Sequence, residues 1–311
     1  MTVDLVLQTL ASGLLMGLIY ALVAAGLSLI FGLMDVVNFA HGELLMLAMF
    51  ATFVLHQSLG LDPLLLVPLV AILMFGAGIA IYRLLIARAL SVTFNTGMVQ
   101  IFVTFGLAIF LRGAAQFFFG SQFRSIGDGW LANRTVALSG IYLPLPQLAA
   151  SAVCLAAFAL LLLVSKTEFG RALEATREDR DAVALIGIDR DRIFAIGWGM
   201  GAAAVGVAGV MLANFYYISP NVGANFALIA YVTVALGGFG SLAGALVAGL
   251  LIGEVESVTA LLLEPSLKQV GMFAIYLLVL MFRPRGLFGR DRKSTRLNSS
   301  HLARSRMPSS A

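Results

Sequence analysis

Residues 10–31 read LASGLLMGLIYALVAAGLSLIF and contain no charged side chain. An α-helix needs about 20 apolar residues to cross the hydrocarbon core of a bilayer. This run is long enough for one crossing and too long for the apolar region of a cleavable secretion signal, and no basic flank precedes it. We therefore expect it to be a retained transmembrane helix.

The composition of the whole chain indicates a polytopic membrane protein. Of its 311 residues, 60% are hydrophobic and only 12% are charged, and the mean hydropathy is +0.97. A soluble domain carries about a quarter charged residues. The 32 glycines suit close helix packing in a membrane, because small residues let backbones approach. The single cysteine, Cys154, excludes an internal disulfide.

Further apolar runs of similar length predict an all-α transmembrane helical bundle. The stretch 226–263 is too long for one ordinary span, and its Gly237-Gly-Phe-Gly-Ser241 segment is expected to break or turn a helix. Dividing it in two gives nine crossings, within a range of about 8–10, with broken or re-entrant segments. The other predicted spans are Leu10–Phe31, Leu44–Leu59, Pro63–Arg83, Met98–Phe119, Leu145–Val164, Ile193–Tyr216 and Leu267–Phe282.

One segment before the C-terminus is strongly charged. Residues 166–192, here called the island, read KTEFGRALEATREDRDAVALIGIDRDR and contain thirteen charged side chains. Charge is costly at the centre of a bilayer, so we expect the island to lie in water. Gly170 and Arg171 open a stretch of good helix formers, and Gly187 provides a stop. The sequence therefore predicts an exposed helical loop.

The basic residues predict the orientation of the spans. Cytoplasmic loops are enriched in Lys and Arg, and the island carries six of them. If the island is cytoplasmic, counting through nine spans also places Arg83, Arg88 and the basic residues after the last span inside. The N-terminus and the loop 120–140 then lie outside. These sites agree only if residues 226–263 cross twice.

The sequence contains no catalytic or metal-binding pattern. No Gly-x-x-x-x-Gly-Lys-Ser/Thr phosphate loop occurs, and the only lysines are Lys166, Lys268 and Lys293. The three histidines are far apart, and no Cys/His cluster has the spacing of a zinc site. We expect a protein that is not an enzyme, binds no cofactor or metal, and has no nucleic-acid partner.

Four polar side chains, Asp35, Asn38, His41 and Glu43, stand between two apolar runs. One interpretation is a broken helix that lines a permeation path, since irregular backbone survives at membrane depth only beside protein or a cavity. The alternative is a short cytoplasmic turn, capped by Asn38, with His41 facing outward. The sequence leaves both open.

The glycine motif offers a second group of candidates. Gly237, Gly240 and Gly244 recur at spacings of three and four, which would place them on one helical face and is typical of helix packing. Gly237, Gly238, Gly240 and Ser241 are also candidates for lining a path.

Acidic side chains within the predicted spans form the third group. Glu254 falls near the middle of the second half of 226–263, and an intramembrane acid is a functional hypothesis by default. Pairing of Glu254 with Arg112 or Tyr231 is the structural alternative. A self-sufficient secondary transporter would couple such acids to ions, with Glu43, Glu254 and Glu256 as candidates, and would contain inverted repeats. No clear repeat is present.

Three motifs closely resemble those of the branched-chain amino acid permease family of ABC importers. Residues 26–43 read GLSLIFGLMDVVNFAHGE, residues 237–244 read GGFGSLAG, and residues 282–289 read FRPRGLFG. They occur in the family order, and the Asn-Phe-Ala-His-Gly run is the most specific. Within the island, Asp181-Ala182-x-x-x-x-Gly187 looks like the Glu-Ala-Ala…Gly coupling loop of such permeases, with Asp for Glu and Val183 for the second Ala.

This resemblance implies a permease subunit of the bacterial inner membrane, with residues 1–289 as its transmembrane domain and the island as its cytoplasmic coupling loop. It implies a second homologous permease subunit, two cytoplasmic ATP-binding subunits, an extracytoplasmic substrate-binding protein and an amino-acid substrate, all within membrane lipid. The residues assigned to coupling are Arg171, Glu174, Arg177, Asp181, Ala182 and Gly187. The residues assigned to the path are Asn38, His41, Glu43, Gly237, Gly238, Gly240, Ser241 and Glu254.

Other interpretations remain open at this stage. The island could be a solvated helical loop with local ion pairs between Glu174 and Arg177 and between Arg177 and Asp181. The solute could be a sugar, urea or an amide. A non-transporting membrane scaffold would leave the island unexplained.

The last residues differ from the rest of the chain. Residues 291–311 contain five basic residues and one acidic residue, which supply the whole net charge of +4. They begin DRKSTRLNSSH, which resembles a translated sequencing adapter. We therefore expect 290–311 to be a non-native tail. The alternative is a disordered basic tail that contacts lipid phosphates.

Overall fold

The computed structural model describes residues 3–35, 37–91, 96–138, 140–178, 183 and 187–289, and these are overwhelmingly helical. A π-helical turn spans Tyr82–Ile86, and a 3-10 turn spans Pro265–Leu267. One antiparallel hairpin pairs β1 (Thr135–Leu138) with β2 (Ile141–Pro144). The helices are α1 (Val3–Met34), α2 (His41–Leu59), α3 (Pro63–Ile81), α4 (Ala87–Leu90), α5 (Thr96–Phe119), α6 (Leu145–Ser165), α7 (Glu168–Glu178), α8 (Arg190–Ala213), α9 (Val222–Gly237), α10 (Leu242–Leu262) and α11 (Lys268–Phe282).

Eight of the described helical segments are long and apolar enough to cross a membrane, with α3 and α4 forming one of them. The apolar helix α9, with 16 residues, is shorter. The eight candidate spans of the described residues, with α9 as a shorter ninth, agree with the predicted range of about 8–10, and the all-α fold is confirmed. The island begins as the short helix α7. Asp181 and Ala182, assigned to coupling, and the tail 290–311 lie outside the described residues, so those predictions stay untested.

The predicted division of residues 226–263 is confirmed. Helix α9 ends at Gly237 and α10 begins at Leu242, with φ of 100° at Gly238 and 76° at Gly240. Side chains other than hydrogen disfavour this left-handed region, so the glycines permit the turn. Ser241 then caps α10 by accepting a hydrogen bond from Gly244 N at 3.0 Å.

The prediction that Gly237, Gly240 and Gly244 share one helical face is wrong. Gly237 ends α9, Gly240 lies in the turn and Gly244 lies in α10. The spacing misleads because the positive φ values interrupt the helix between them. Gly237 and Gly244 still serve packing, since a methyl group on either would overlap the backbone of the other.

Helix α1 lies at the centre of the bundle and packs along α10, α8 and α6. Its second half is almost wholly buried. Small residues permit the contact with α10: a Cβ atom at Gly17 would lie 2.8 Å from Leu250 Cα. The helices α3, α5, α6 and α11 are far more exposed and form the outer layer around α1, α2, α8 and α9.

The segments that link the helices form two groups, which lie at opposite ends of the bundle. At one end the N-terminal segment, the α2–α3 link, the segment 120–144 and the α8–α9 link meet. The hydrogen bonds concerned join Gln8 to Tyr142, His56 to Asp128, Asp62 to Trp130 and Arg124 to Ile218. At the other end Tyr82 contacts Asp191, and α7 contacts the α9–α10 turn. This grouping is expected when successive helices cross the bundle in alternate directions.

Thiol labelling tests which end is cytoplasmic. In a Cys154→Ala background, Ser125→Cys lies in an exposed segment at the first end, and Arg171→Cys lies on the exposed face of α7. We expect an impermeant reagent applied to intact cells to label position 125 and not position 171, because the positive-inside rule predicts that the basic island faces the cytoplasm. Labelling at 171 alone would reverse the orientation. Thr176 is unsuitable as a probe because it is fully buried.

Candidate translocation site and coupling surface

The link between α1 and α2 turns back into the bundle. Helix α1 ends at Met34, yet His41 Nε2 lies 2.9 Å from the carbonyl oxygen of Val23. Val23 precedes Met34 by eleven residues, which correspond to about 16 Å of helix. Residues 37–40 therefore run back beside α1, and α2 begins within the bundle rather than at its end. Asp35, with φ of 56°, makes the sharp turn.

Two side chains hold this returning segment in place. The Asn38 side-chain oxygen accepts a hydrogen bond from Ala40 N at 3.0 Å. The Tyr231 hydroxyl of α9 donates to the carbonyl oxygens of Asn38 and Phe39, at 3.2 and 3.0 Å. Such partners let irregular backbone exist inside a membrane protein.

The predicted alternative with His41 facing outward is wrong. Asn38, His41 and Glu43 are 1%, 0% and 2% exposed. The capping role of Asn38 in that alternative is wrong as well, because Ala40 is the N-cap residue of α2 and no side chain caps this helix. The broken helix within the bundle is the interpretation that these positions support, because the return of the chain buries all three side chains.

Helix α9 also begins inside the bundle, opposite the start of α2. Gly42 and Gly223 pack backbone against backbone: a methyl group on Gly223 would lie 2.7 Å from the Gly42 carbonyl oxygen. The 16 residues of α9 span about 24 Å, less than the roughly 30 Å of a hydrocarbon core. Two helix N-termini thus meet at an interior level.

An ion pair between a buried Glu43 and a partly exposed Arg112 lies at this meeting point. Arg112 of α5 donates from Nε to Glu43 Oε1 at 3.1 Å, and its Nη2 also bonds the same oxygen. The other oxygen, Glu43 Oε2, lies against the Gly223 backbone. Removal of Arg112 would leave the carboxylate of Glu43 buried without its charged partner. The sequence analysis missed this pair, whose members are 69 residues apart.

Three buried polar atoms on residues 38–43 have no hydrogen-bond partner in the described part of the chain. They are Asn38 Nδ2, His41 Nδ1 and Glu43 Oε2. Buried polar groups are normally paired, so a cluster of exceptions is typical of a place for water or a ligand.

The acids of α10 have separate surroundings. Pairing of Glu254 with Arg112 or Tyr231 is wrong, because Arg112 pairs with Glu43 and Tyr231 holds the α1–α2 link. Glu254 instead lies against Gly13 of α1.

Glu256 is the more buried of the two acids of α10. It accepts a hydrogen bond from the Tyr20 hydroxyl at 2.7 Å and lies 3.7 Å from Lys268 Nζ. Glu256 thereby ties α1, α10 and α11 together, a role that the sequence analysis missed.

The α9–α10 turn contacts both the island and the C-terminal motif. Arg177 Nη1 of α7 donates to the Gly240 carbonyl oxygen at 2.9 Å. Leu287 N and Phe288 N donate to the carbonyl oxygens at the end of α9, at 2.8 and 3.0 Å. A cavity of about 320 Å³ lies between α1, α6, α7 and this turn, and Glu174, Arg177, Gly240 and Ser241 are among its lining residues.

Comparison with known proteins identifies the chain. Residues 9–281 match the sequence model of a family described as the permease component of the branched-chain amino acid transport system. The chain belongs to this family. It shares 32% identity over 294 residues with the permease protein BraD of a high-affinity branched-chain amino acid transport system in Pseudomonas aeruginosa, covering 91% of this chain and 96% of the relative.

Two further relatives are permease proteins of the same kind of system. LivH of Escherichia coli K12 is 32% identical over 296 residues, which cover 91% of this chain and 96% of LivH. LivM of Salmonella typhimurium is 32% identical over 133 residues, 42% of this chain and 31% of LivM. No solved structure matches the chain significantly.

Within this permease the predicted path residues fall into three places. Asn38, His41 and Glu43 lie together in the interior. Gly237, Gly238, Gly240 and Ser241 form the turn beside the island. Glu254 lies apart, against α1. Of the residues assigned to coupling, Arg177 points into the protein toward Gly240, Arg171 is exposed beside Glu168, and Gly187 has φ of 82°.

Proposed function

We propose that this chain is the membrane-spanning permease subunit of an ATP-driven importer of branched-chain amino acids. The observation that carries the proposal is the end-to-end similarity, over 91% of the chain, to permease proteins named for branched-chain amino acid transport. The helical bundle with a broken interior supports it, because transporters place substrate sites where helices are interrupted.

The energy would come from partner subunits. The sequence has no phosphate-binding loop, so two cytoplasmic ATP-binding subunits would bind the island. A second homologous permease would complete the membrane part, and the partial similarity to LivM suits such a pairing. An extracytoplasmic binding protein would deliver the amino acid at the end that carries the β-hairpin. The complex would reside in the inner membrane.

A chain of contacts connects the island to the interior residues. Helix α7 would move with the ATPases and displace the α9–α10 turn through the bond from Arg177 to Gly240. Helix α9 leads from that turn to its other end, where Gly223 packs on Gly42. Movement of α9 would therefore alter the setting of Asn38, His41 and Glu43. We assign these three residues to the path, with the turn at its cytoplasmic end and Glu254 as an outlying candidate.

Co-purification provides the test. The chain would be tagged and expressed with its candidate second permease, ATP-binding subunits and binding protein. We expect the four kinds of subunit to purify together and the ATPase rate to rise with binding protein loaded with leucine, isoleucine or valine. Stimulation by urea or a sugar instead would favour the alternative solutes. Failure of any ATP-binding subunit to bind would contradict the proposal.

A further inference from the structure

We propose that Arg112 forms a carboxylate-binding site within the membrane, which receives the α-carboxylate of the transported amino acid, and that Glu43 positions its guanidinium. This inference rests on the proposed transport of amino acids. It adds a ligand contact that the sequence did not suggest, since Arg112 entered the sequence analysis only as an alternative partner of Glu254.

Arg112 lies well inside helix α5, away from both of its ends. It precedes Phe119, the last residue of α5, by seven residues, or about 10 Å of helix. Its ion-pair partner, Glu43, lies at the interior level where α2 and α9 begin. Away from the side of Arg112, the exposed surface of α5 carries large apolar side chains such as Phe102 and Phe110.

The Arg112 side chain is only partly covered by the described residues. Its side chain remains 38% exposed although Glu43 is buried. A guanidinium at this depth is costly against lipid, and intramembrane charges almost always face a bundle interior or a water-filled cavity. In this proposal the exposed side of Arg112 borders the path, which accounts for a charge at this depth.

Glu43 occupies only part of the Arg112 guanidinium. Nε and Nη2 bind a single oxygen, Glu43 Oε1. Within the described residues, Nη1 has no hydrogen-bond partner. The planar guanidinium has five N–H donors and matches carboxylates in geometry. Glu43 fixes one edge of this group and leaves Nη1 available on the exposed side.

Aromatic rings near Arg112 suit the ammonium group and the side chain of an amino acid. Phe105 precedes Arg112 by seven residues, two helical turns, so both lie on the same side of α5. The Phe105 ring lies 6.4 Å from the Phe39 ring, which in turn lies 5.6 Å from the Tyr231 ring. Aromatic rings suit both an aliphatic side chain and an ammonium group. A zwitterion with an apolar side chain therefore matches the chemistry of this region.

The test compares three variants in the assembled transporter, reconstituted in proteoliposomes with leucine-loaded binding protein. Arg112→Gln removes the positive charge. Arg112→Lys keeps the positive charge but lacks the planar set of N–H donors that the guanidinium provides. The double variant Glu43→Gln with Arg112→Gln replaces the ion pair by a neutral pair of amides. We expect at least tenfold lower leucine uptake in Arg112→Gln and in the double variant, with subunit association and stimulated ATPase activity within about threefold of wild type. Arg112→Lys should raise the KM for uptake and retain part of the rate.

The contrary outcomes are distinct. Uptake restored in the double variant would mean that Arg112 serves only as the partner of Glu43, and the inference would be wrong. Loss of the second permease from purified Arg112→Gln or Arg112→Lys transporter would mean that Arg112 faces that subunit, and would also overturn it. Absence of ATP-driven leucine uptake by the wild-type transporter would overturn the proposed function, and the inference with it.

Discussion

Replacement of Arg177 by glutamine is expected to lower ATP-driven uptake at least tenfold while the transporter stays assembled. The reason is the bond from Arg177 Nη1 to the Gly240 carbonyl oxygen at 2.9 Å, which joins the island to the α9–α10 turn. A hydrogen bond with a charged donor contributes about 1.5–3 kcal/mol. Its loss would let α7 move without the turn, so ATP hydrolysis would continue with little transport.

The measurement is the ratio of leucine imported to ATP hydrolysed in proteoliposomes. Arg88→Gln is the matched control, because Arg88 lies at the same end of the bundle and its Nη1 donates a hydrogen bond to the Leu84 carbonyl oxygen of its own segment, at 2.7 Å. The control should keep the wild-type ratio. An unchanged ratio in Arg177→Gln would show that coupling does not pass through Gly240.

Replacement of Gly42 by alanine is expected to have the second large effect, a loss of both stability and uptake. A methyl group at this position would overlap the Gly223 carbonyl oxygen and lie 2.6 Å from the Ala227 side chain. Helices α2 and α9 would have to separate, and overpacking of this kind costs about 1–3 kcal/mol. The thermal unfolding temperature in detergent should fall by several degrees, and uptake should fall at least tenfold.

Gly76→Ala supplies the control for this experiment. Gly76 lies in α3, and among the described residues no atom beyond the adjacent backbone of α3 lies within 4 Å of the position that its Cβ would take. Its unfolding temperature and uptake should match the wild type. Equal stability of Gly42→Ala and Gly76→Ala would mean that the two helix starts do not pack as described.

The sequence was sufficient for the class of fold and for the positions of most apolar helices. Span length follows from hydropathy, and the division at Gly237–Ser241 follows from excess length and from the conformations that glycine allows. Local signals of this kind depend on neighbouring residues alone. They also identified residues 35–43 as unusual, although two interpretations remained.

The interior site could not be predicted in the same way, because its contacts join distant parts of the chain. The return of His41 to the level of Val23 depends on the packing of whole helices, and the pairing of Glu43 with Arg112 spans 69 residues. The bond between Arg177 and Gly240 spans 63 residues. Each is a product of tertiary packing, which hydropathy and periodicity do not encode.

The most direct test of the central claim is ATP-driven leucine accumulation in proteoliposomes that contain this chain and its three kinds of partner. The binding protein would be supplied on the side of the β-hairpin, and ATP on the side of the island. We predict leucine accumulation against its gradient only when both are present, with no accumulation by this chain alone. Accumulation by this chain alone, driven by an ion gradient without ATP, would contradict the account and indicate a self-sufficient secondary transporter.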